Sequence, residues 1–355
     1  MIERRKSKQI KIRDVKIGGD APIVVQTMCN TDTCDINATL NQINQFYEAG
    51  CEIVRLAVLN KDAAEAIKTI VKKSPLPLVA DIHFDYRLAI KCIENGIDAL
   101  RINPGNIGKA EHTQKVVSLA KINNVPIRIG INAGSLEKEL KQRDDISLAE
   151  KMTESAMGHI KILEDLDYDN IKISLKSSDV PTTIDAYRIM AKKVDYPLHV
   201  GVTEAGTLKG GLIKSAVGIG TLLSEGIGDT IRVSLTEDPI EEVYAGWSIL
   251  KSLNLRKRGV NFISCPTCGR TQIDLIGLAK KVENRFKNLD IPITIATMGC
   301  PVNGPGEAAS ADYGIAGAIG EGYIFKKGKI ILSRIPENEL LDKLEEVIGA
   351  DFKNI

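Results

Sequence analysis

Eight short apolar runs rich in Ile, Val and Leu recur along the first 236 residues, and they constrain the fold more than any other feature of the sequence. The segments between them have helical character, and several end in AG, NG or EG, as helices capped by a left-handed residue do. Eight strands that alternate with eight helices predict a closed (β/α)8 barrel, an α/β fold. The runs are PIVVQTM (22–28), EIVRLAV (52–58), PLPLVADIHF (75–84), DALRINPG (98–105), VPIRIGIN (125–132), NIKISLK (170–176), YPLHVGVTE (196–204) and TIRVSLT (230–236).

An open, doubly wound sheet is the alternative for a chain in which strands and helices alternate. The count of eight favours the barrel, and no Gly-x-Gly-x-x-Gly motif follows the first run. The basic residues that open the sequence predict a hairpin or cap ahead of the barrel.

The character of the sequence changes near residue 251, where a basic, polar connector begins. Beyond it we expect a compact α+β module with a Cys-x-x-Cys motif, a helix, a strand, a loop rich in Gly and Pro, a hairpin over 313–335 and a terminal amphipathic helix. The sequence therefore predicts three parts, which are a barrel domain over 1–250, a connector over 251–258 and a second domain over 259–355.

The composition limits the partners and the location of the protein. A formal net charge of +1 gives the chain no bulk attraction for nucleic acid or an anionic membrane, and 4% aromatic residues argue against base stacking. The sequence has no run of about 18 apolar residues, so it predicts no membrane span. Its first residues lack the apolar core of a signal peptide. We therefore expect a cytoplasmic protein whose seven cysteines are thiols or metal ligands.

Five predicted strands carry a cation, namely Arg55, Arg101, Arg128, Lys176 and Arg232. A charge within a run of Ile, Leu and Val is costly unless it is paired or meets a ligand. The carboxyl ends of barrel strands form the active-site mouth, and Arg presents a planar fork to phosphoryl oxygens. Together these residues predict a pocket for a small polyanion such as a diphosphate, although any one of them alone is better explained by an ion pair with a core carboxylate or by exposure to solvent.

Other polar residues follow the same strands. Side chains two residues apart in a strand point the same way, and the pairs with this spacing are Asp81 with His83, Arg101 with Asn103, and Arg232 with Ser234. Asn132 also lies at a strand end. Glu204 ends the seventh run and is a candidate acid or base, because a cation-lined pocket keeps a carboxylate placed and ionised. His83 taken alone is better explained as a structural histidine.

Three cysteines form a candidate metal site in the second domain. Cys265 and Cys268 stand at a spacing that chelates zinc or an iron–sulfur cluster, and Cys300 follows in the loop GCPVNGPGE. The glycines of that loop favour a cluster, and structural zinc is the alternative. Three cysteines leave a four-iron cluster one ligand short, so the last iron is either open or bound by an oxygen donor, for which Glu307 in the same loop is the economical choice.

Nine segments spread nearly from end to end carry a resemblance to a known family, and they are RRKSKQIKIRDVKIGGDAPIVVQTM, ADIHFDYRLA, RINPGNIG, RIGINAGSLEKEL, ISLKSSDV, LHVGVTEAG, IRVSLTEDP, SCPTCGR and GCPVNGPGEA. Together they resemble the bacterial 4-hydroxy-3-methylbut-2-en-1-yl diphosphate synthases of the methylerythritol phosphate pathway to isoprenoids. The last two segments are the most specific.

The resemblance implies a (β/α)8 barrel followed by a smaller, sulfite-reductase-like α+β domain that holds one [4Fe-4S] cluster per chain. It implies an oxidoreductase that opens the ring of 2-C-methyl-D-erythritol 2,4-cyclodiphosphate and removes water, with two electrons from reduced ferredoxin or flavodoxin. It also implies a homodimer in which the cluster domain of one subunit covers the barrel mouth of the other.

The family's functional residues fall largely on positions already singled out. Its cluster ligands match Cys265, Cys268, Cys300 and Glu307. The resemblance implies diphosphate contacts from Arg55, Arg101, Asn103, Arg128, Asn132, Lys176, Arg232 and Ser234, and its remaining pocket positions match Asp81, His83, Thr203 and Glu204. We expect Thr203 to contact substrate and Glu204 to handle a proton, with His83 and Asp81 as the other catalytic residues.

Two other classes of protein remain as alternatives. A zinc-dependent phosphosugar lyase or aldolase would be colourless and active in air. A non-catalytic iron–sulfur sensor or scaffold would have no use for a pocket that binds a polyanion.

Overall fold

The computed structural model describes residues 2–103, 107, 109–301, 306 and 308–352. The chain divides into two compact units, Met1–Arg256 and Lys257–Ile355. In the part that the structure describes, no helix is long and apolar enough to cross a membrane.

Eight parallel strands form the wall of the first unit and confirm the predicted barrel. They are β3 (Val24–Met28), β4 (Ile53–Ala57), β5 (Leu78–Asp81), β6 (Ala99–Ile102), β7 (Ile127–Asn132), β8 (Ile171–Lys176), β9 (His199–Val200) and β10 (Thr230–Ile231). Their order in the sheet is β8-β7-β6-β5-β4-β3-β10-β9. A parallel bridge between Ile173 and Leu198 joins the two ends of this order, so the sheet closes on itself.

Helices alternate with these strands and pack on the outside of the wall. They are α1 (Ile36–Glu48), α2 (Lys61–Lys73), α3 (Tyr86–Glu94), α4 (Ala110–Ile122), α5 (Lys138–Lys141), α6 (Leu148–Glu164), α7 (Val180–Lys193), α8 (Leu208–Ser224) and α9 (Pro239–Ser252). Short polar side chains fix where many of them begin, since an oxygen at the N-cap accepts from an otherwise unpaired backbone N–H. These caps are Asp35, Asn60, Asp85, Ser147, Asp179 and Asp238.

A hairpin closes the end of the barrel where the strands begin, as the opening residues of the sequence predict. Its strands are β1 (Ile10–Ile12) and β2 (Val15–Ile17), which pair antiparallel. The hairpin and the first inward positions of four barrel strands form one buried apolar cluster, which we call the barrel floor: Ile10, Ile12, Ile17, Val24, Ile53, Val79 and Ala99. The preceding segment is tied to the last strands, because Arg4 donates to Asp229 at 3.1 Å and the backbone N–H of Arg5 donates to Gly226 at 3.0 Å.

The second unit is an α+β module with one five-stranded sheet. Its elements are β11 (Asn261–Ser264), α10 (Leu275–Phe286), β12 (Thr294–Met298), β13 (Tyr313–Ala318), β14 (Glu321–Lys326), β15 (Lys329–Pro336) and α11 (Leu340–Asp351). The segment predicted as one hairpin contains three strands, because the chain reverses a second time at Lys327 and Gly328, whose φ angles are +47° and +74°. Strand β11 was not predicted.

Candidate active site at the barrel mouth

Charged side chains occupy paired positions on neighbouring strands near their carboxyl ends. The register aligns Asp81 on β5 with Arg101 on β6, and Arg101 with Arg128 on β7. Arg55 on β4 is aligned with Met28 on β3. Because residues at paired positions point to the same side of a sheet, the sequence brings these groups together at the barrel mouth.

Asp81 is the centre of a buried hydrogen-bonded group. Its carboxylate accepts from Nη1 of Arg101 at 3.0 Å and lies 3.5 Å from Nε of Arg55. Nε2 of His83 lies 3.6 Å from the same carboxylate. Burial acts to raise the pKa of Asp81, but Arg55, His83 and Arg101 outweigh it and hold the pKa well below its usual value. Asp81 is therefore an ionised anchor for Arg55 and Arg101, two of the predicted diphosphate contacts.

Two further contacts orient these arginines. Nη2 of Arg101 donates to the backbone oxygen of Gly130 at 3.2 Å, and a Cβ at Gly130 would lie only 2.6 Å from Nε of Arg101. Glycine at this position therefore makes room for the guanidinium. Nε and Nη2 of Arg55 contact the sulfur of Met28 at 3.0 and 2.8 Å. A thioether sulfur is a weak acceptor, so Arg55 can readily exchange this contact for a hydrogen bond to a stronger acceptor.

Arg128 and Lys176 are buried among like charges. Burial lowers the pKa of Arg128 well below its usual value, and the nearby Arg55 and Arg101 lower it further. Burial also lowers the pKa of Lys176, with Arg232 and Arg128 adding to the effect. A site that holds several cations this close together favours the binding of an anion, because the anion relieves their mutual repulsion.

Arg232 has a carboxylate partner that the sequence analysis missed. Glu242 on α9 accepts from Nε and Nη2 of Arg232 at 3.1 and 3.2 Å. Helical spacing was the signal that could have found it, since Glu242, Gly246 and Leu250 recur every four residues and all three are buried.

A deeper polar layer inside the barrel was also missed. Lys172 and Gln26 are buried, and neither the ammonium nor the amide has a hydrogen-bond partner among the described residues. His199 is buried as well, and its Nδ1 lies 2.7 Å from Oγ1 of Thr230. The sequence signal was present, because each of these side chains lies two or four residues before a predicted substrate contact or the end of a predicted strand.

The remaining predicted residues end their strands or follow them by one to four residues. Asn103 is buried and Asn132 and Ser234 are partly buried, and each follows or ends its strand. Thr203 is partly buried, and its backbone N–H donates to Ser177 at 3.2 Å. Glu204 is exposed and has a φ of +51°, a left-handed conformation that is uncommon outside glycine. Their roles stay predictions.

Two of the predicted cluster ligands lie at the same edge of the second unit's sheet, just after adjacent strands. β11 and β12 are parallel neighbours in which Ser264 is aligned with Thr297. Cys265 follows β11 directly, and Cys300 follows β12 after one residue. The topology therefore places both cysteines beyond the carboxyl ends of adjacent strands.

Backbone contacts bring the third cysteine to the same place. The N–H of Gly299 donates to the sulfur of Cys265 at 3.2 Å, and its C=O accepts from Gln272 at 2.9 Å. The N–H of Cys268 donates to Oγ1 of Thr271, the residue before Gln272, at 3.1 Å. Hydrogen bonds from Arg270 lower the pKa of the Cys268 thiol, which favours the thiolate that metals bind.

The fourth predicted ligand, Glu307, lies outside the described residues. Within the described part of the chain, no three His, Cys, Asp or Glu side chains are arranged to hold a metal ion. A four-iron cluster makes a different demand, because each thiolate binds a separate iron and the ligands stand further apart than around one ion. Three cysteines around one glycine-containing turn fit that requirement.

The chain resembles two solved dihydropteroate synthases in fold. The structure from Stenotrophomonas maltophilia has a TM-score of 0.53 at 13% identity and covers 70% of this chain and 97% of its own. The structure from Yersinia pestis has a TM-score of 0.51 at 11% identity and covers 69% of this chain and 98% of its own. At such identities the likeness shows the fold alone.

Family models match both units of the chain. The model described as the GcpE TIM-barrel domain matches residues 7–247, and the model described as the GcpE protein C-terminal domain matches residues 261–350. These two matches together cover well over half of the sequence.

Relatives match the chain over nearly its whole length. The protein of Geobacter sulfurreducens named 4-hydroxy-3-methylbut-2-en-1-yl diphosphate synthase (flavodoxin) is 59% identical over 341 residues, which are 96% of each chain. The protein of the same name from Clostridium perfringens is 56% identical over 347 residues, which are 98% of this chain and 99% of that one. With both of its units matched, the chain belongs to the GcpE family of 4-hydroxy-3-methylbut-2-en-1-yl diphosphate synthases.

Proposed function

We propose that the barrel mouth binds 2-C-methyl-D-erythritol 2,4-cyclodiphosphate and that this enzyme opens its ring reductively, with loss of water, to 4-hydroxy-3-methylbut-2-enyl diphosphate. The relatives named above carry flavodoxin in their names. Flavodoxin is therefore our first choice as the donor of two electrons, and ferredoxin is the second. A cytoplasmic location stays a prediction.

The excess of buried cations at the mouth is the observation that carries this proposal. Arg55, Arg101, Arg128, Lys176 and Arg232 lie within electrostatic range of one another, and the carboxylates that contact them in the described structure are Asp81 and Glu242. The cations outnumber these carboxylates, so the pocket gains most from a ligand with more than one negative charge. Two linked phosphoryl groups meet that requirement, and guanidinium groups bind them with paired hydrogen bonds.

We assign the chain's residues to separate tasks. Arg55, Arg101, Arg128, Lys176 and Arg232 hold phosphoryl oxygens in the mouth, and Asp81 keeps Arg55 and Arg101 aimed at them. Asn103, Asn132, Thr203 and Ser234 add polar contacts at the rim. The carboxylate of Glu204 holds the proton that a departing substrate oxygen needs, and His83 orients that oxygen.

Cys265, Cys268 and Cys300 would hold a [4Fe-4S] cluster in the second unit, with Glu307 as the fourth ligand. When bound, such a cluster supplies electrons one at a time and a Lewis-acidic iron. The roles we propose for the two domains, substrate binding for the barrel and cluster binding for residues 259–355, follow from these assignments.

The metal content tests the second unit. Protein purified without air should be brown, absorb broadly near about 400 nm and contain roughly four iron and four sulfide per chain, as thiolate ligation of a cluster implies. Cys300→Ala should lose the colour. Stoichiometric zinc in place of iron and sulfide would contradict the proposal.

The binding of substrate tests the barrel mouth. Arg101→Ala and Arg128→Ala should each weaken binding or turnover by about 2 kcal/mol or more, because each removes charge-assisted bonds to a phosphate. Arg87→Ala is the matched control, since that side chain is 76% exposed and pairs with Asp85. Unchanged kinetics in both mouth variants, with intact cluster spectra, would remove the mouth as the diphosphate site.

We also propose that the active site is shared in a homodimer. The connector 251–258 and the glycine that follows it, nine residues in all, span at most about 30 Å. In a (β/α)8 barrel a helix runs back from the mouth, so the last helix delivers the connector to the opposite face. Reaching the mouth of its own barrel is awkward for the second unit, and a head-to-tail pair removes the difficulty.

Mixed dimers test the shared site. A Cys300→Ala chain and an Arg128→Ala chain should each be inactive alone, and exchange of subunits should restore activity in one composite site. Verified mixed dimers that stay inactive, while both parents remain folded, would place the whole site within one chain.

A further inference from the structure

Glu242 is a buried carboxylate that the reaction chemistry does not use directly. It lies in the first turn of α9, behind the strand end that carries Arg232, and only 3% of its surface is exposed. Pro239 begins this helix, and Asp238 caps it by accepting from the N–H of Ile240 at 3.0 Å. The first turn of a helix is a favourable place for a negative charge, because unpaired N–H groups and the helix dipole face it.

Four donors converge on this one carboxylate. Oε2 accepts from Oγ1 of Thr27 at 2.7 Å and from Nε of Arg232 at 3.1 Å. Oε1 accepts from the N–H of Leu235 at 3.1 Å and from Nη2 of Arg232 at 3.2 Å. The three N–H groups of Arg232 and Leu235 can only donate, so both oxygens of Glu242 act as acceptors here.

The contacts fix a side chain and a backbone segment together. The fork of Arg232 meets the carboxylate through two N–H groups, and a guanidinium has five, so three remain for a ligand in the mouth. The bond to Leu235 holds the chain immediately after Ser234, which is the other residue of this strand end with a predicted diphosphate contact. One carboxylate therefore sets the positions of the Arg232 side chain and of the backbone that follows Ser234.

We propose that Glu242 is a positioning residue for the diphosphate. It holds Arg232 and the segment 232–235 in the conformation that binds phosphoryl oxygens, and it does so without touching the substrate. This inference rests on the proposed function, because it requires Arg232 to contact the diphosphate. A purely structural role would instead make Glu242 matter for folding and leave substrate affinity alone.

The test measures the affinity of cluster-loaded, anaerobically purified protein for 2-C-methyl-D-erythritol 2,4-cyclodiphosphate by calorimetry. Glu242→Gln keeps the shape but turns one acceptor into a donor, and we expect binding about tenfold weaker, because bonds to charged groups are lost. Arg232→Ala should weaken binding by about thirtyfold. Glu241→Gln removes a charge from the same helical turn and is the matched control, with an expected change of less than about twofold.

A double variant separates positioning from folding. Glu242→Gln combined with Arg232→Ala should lose clearly less affinity than the product of the two single losses, because much of the effect of the carboxylate passes through that arginine. Full additivity of the two losses would overturn the proposal, and so would unchanged affinity in a folded Glu242→Gln protein. If Glu242→Gln does not fold, Glu242→Asp takes its place: it keeps the charge but shortens its reach, so wild-type affinity in that variant would also overturn the proposal.

The failure of the inference and that of the proposed function are distinguishable. Wild-type affinity in Arg232→Ala would mean that Arg232 does not hold the diphosphate, and the assignment of the mouth would fail with it. Weak binding in Arg232→Ala beside normal binding in Glu242→Gln would remove only the role of Glu242. A fall in kcat without a change in affinity would likewise count against positioning of the diphosphate.

Discussion

The floor and the mouth of the barrel are built from the same strands, two residues apart, and their chemistry is opposite. Strands β4, β5 and β6 place Ile53, Val79 and Ala99 in the floor. Two residues further on, the same three strands carry Arg55, Asp81 and Arg101. The floor is sealed by a hairpin, whereas the mouth crowds cations around few carboxylates.

This difference teaches which end of the barrel stabilises the fold and which end serves the ligand. Burying Ile53 removes apolar surface from water and stabilises the folded chain. Burying Arg128 beside Arg55 and Arg101 has the opposite effect until an anion arrives. Stability and affinity should therefore respond to different substitutions, and the barrel's one tryptophan, Trp247, is a built-in fluorescent probe of its unfolding.

The largest effect is expected at the floor. Ile53→Ala should lower the free energy of unfolding by about 2–5 kcal/mol, because it leaves a cavity in a fully buried cluster. The affinity of the remaining folded protein for the cyclic diphosphate should not change. Urea unfolding followed by Trp247 fluorescence, with calorimetry on the same samples, measures both quantities. A loss of affinity in this variant would break the division between floor and mouth.

The mouth should show the reverse pattern. Arg128→Met should weaken substrate binding by about 2 kcal/mol, because it removes charge-assisted bonds to phosphate. The free energy of unfolding of the substrate-free protein should not fall, since an apolar side chain of similar length replaces a cation among like charges. The same two measurements apply, and clear destabilisation would show that Arg128 has a structural role at the mouth.

The pH dependence of the unfolding free energy should show a smaller effect of the buried cations at the mouth. Because burial lowers the pKa of Lys176, the unfolded chain binds more protons than the folded one over the pH range below the usual lysine value of 10.5. The unfolding free energy of the substrate-free protein should therefore rise between pH 7 and 9 more steeply than that of Lys176→Met. Urea unfolding of both proteins at the two pH values gives the difference, and equal slopes would contradict it.

The smallest effect is expected outside both regions. Lys121 and Asp167 form an ion pair on the outside of the barrel, with side chains that are 50% and 95% exposed. Asp167→Asn should leave both the urea midpoint of unfolding and the substrate affinity nearly unchanged. A larger change in either quantity would mean that the measurements respond to surface charge in general.

Much of this fold could be predicted because barrel strands are read from local patterns. All eight predicted runs contain a barrel strand, but the last two strands are short, and β9 covers only His199 and Val200. Glu204, which ends the same predicted run, has a left-handed φ of +51°, and this conformation is not visible in a run of apolar letters.

The site could be predicted as far as its cations but not as far as their partners. Arg55 and Arg101 stand out in the sequence because a charge interrupts an apolar run. Met28 does not stand out, since a methionine in a strand is ordinary core. Glu242 comes from a helix that follows the strand of Arg232; helical spacing places it on the buried face, but only the folded structure shows that it meets Arg232.

The ties between Arg4, Arg5 and the last barrel strands also bear on how the protein is made. Arg4 and Arg5 are synthesised more than two hundred residues before their partners, Gly226 and Asp229. Until then the segment before the hairpin is not tied to the barrel by these contacts, and β3 has no neighbour on the side that β10 will occupy. A nascent chain that stalls before residue 230 therefore presents an open strand edge, which invites aggregation and gives chaperones a surface to hold.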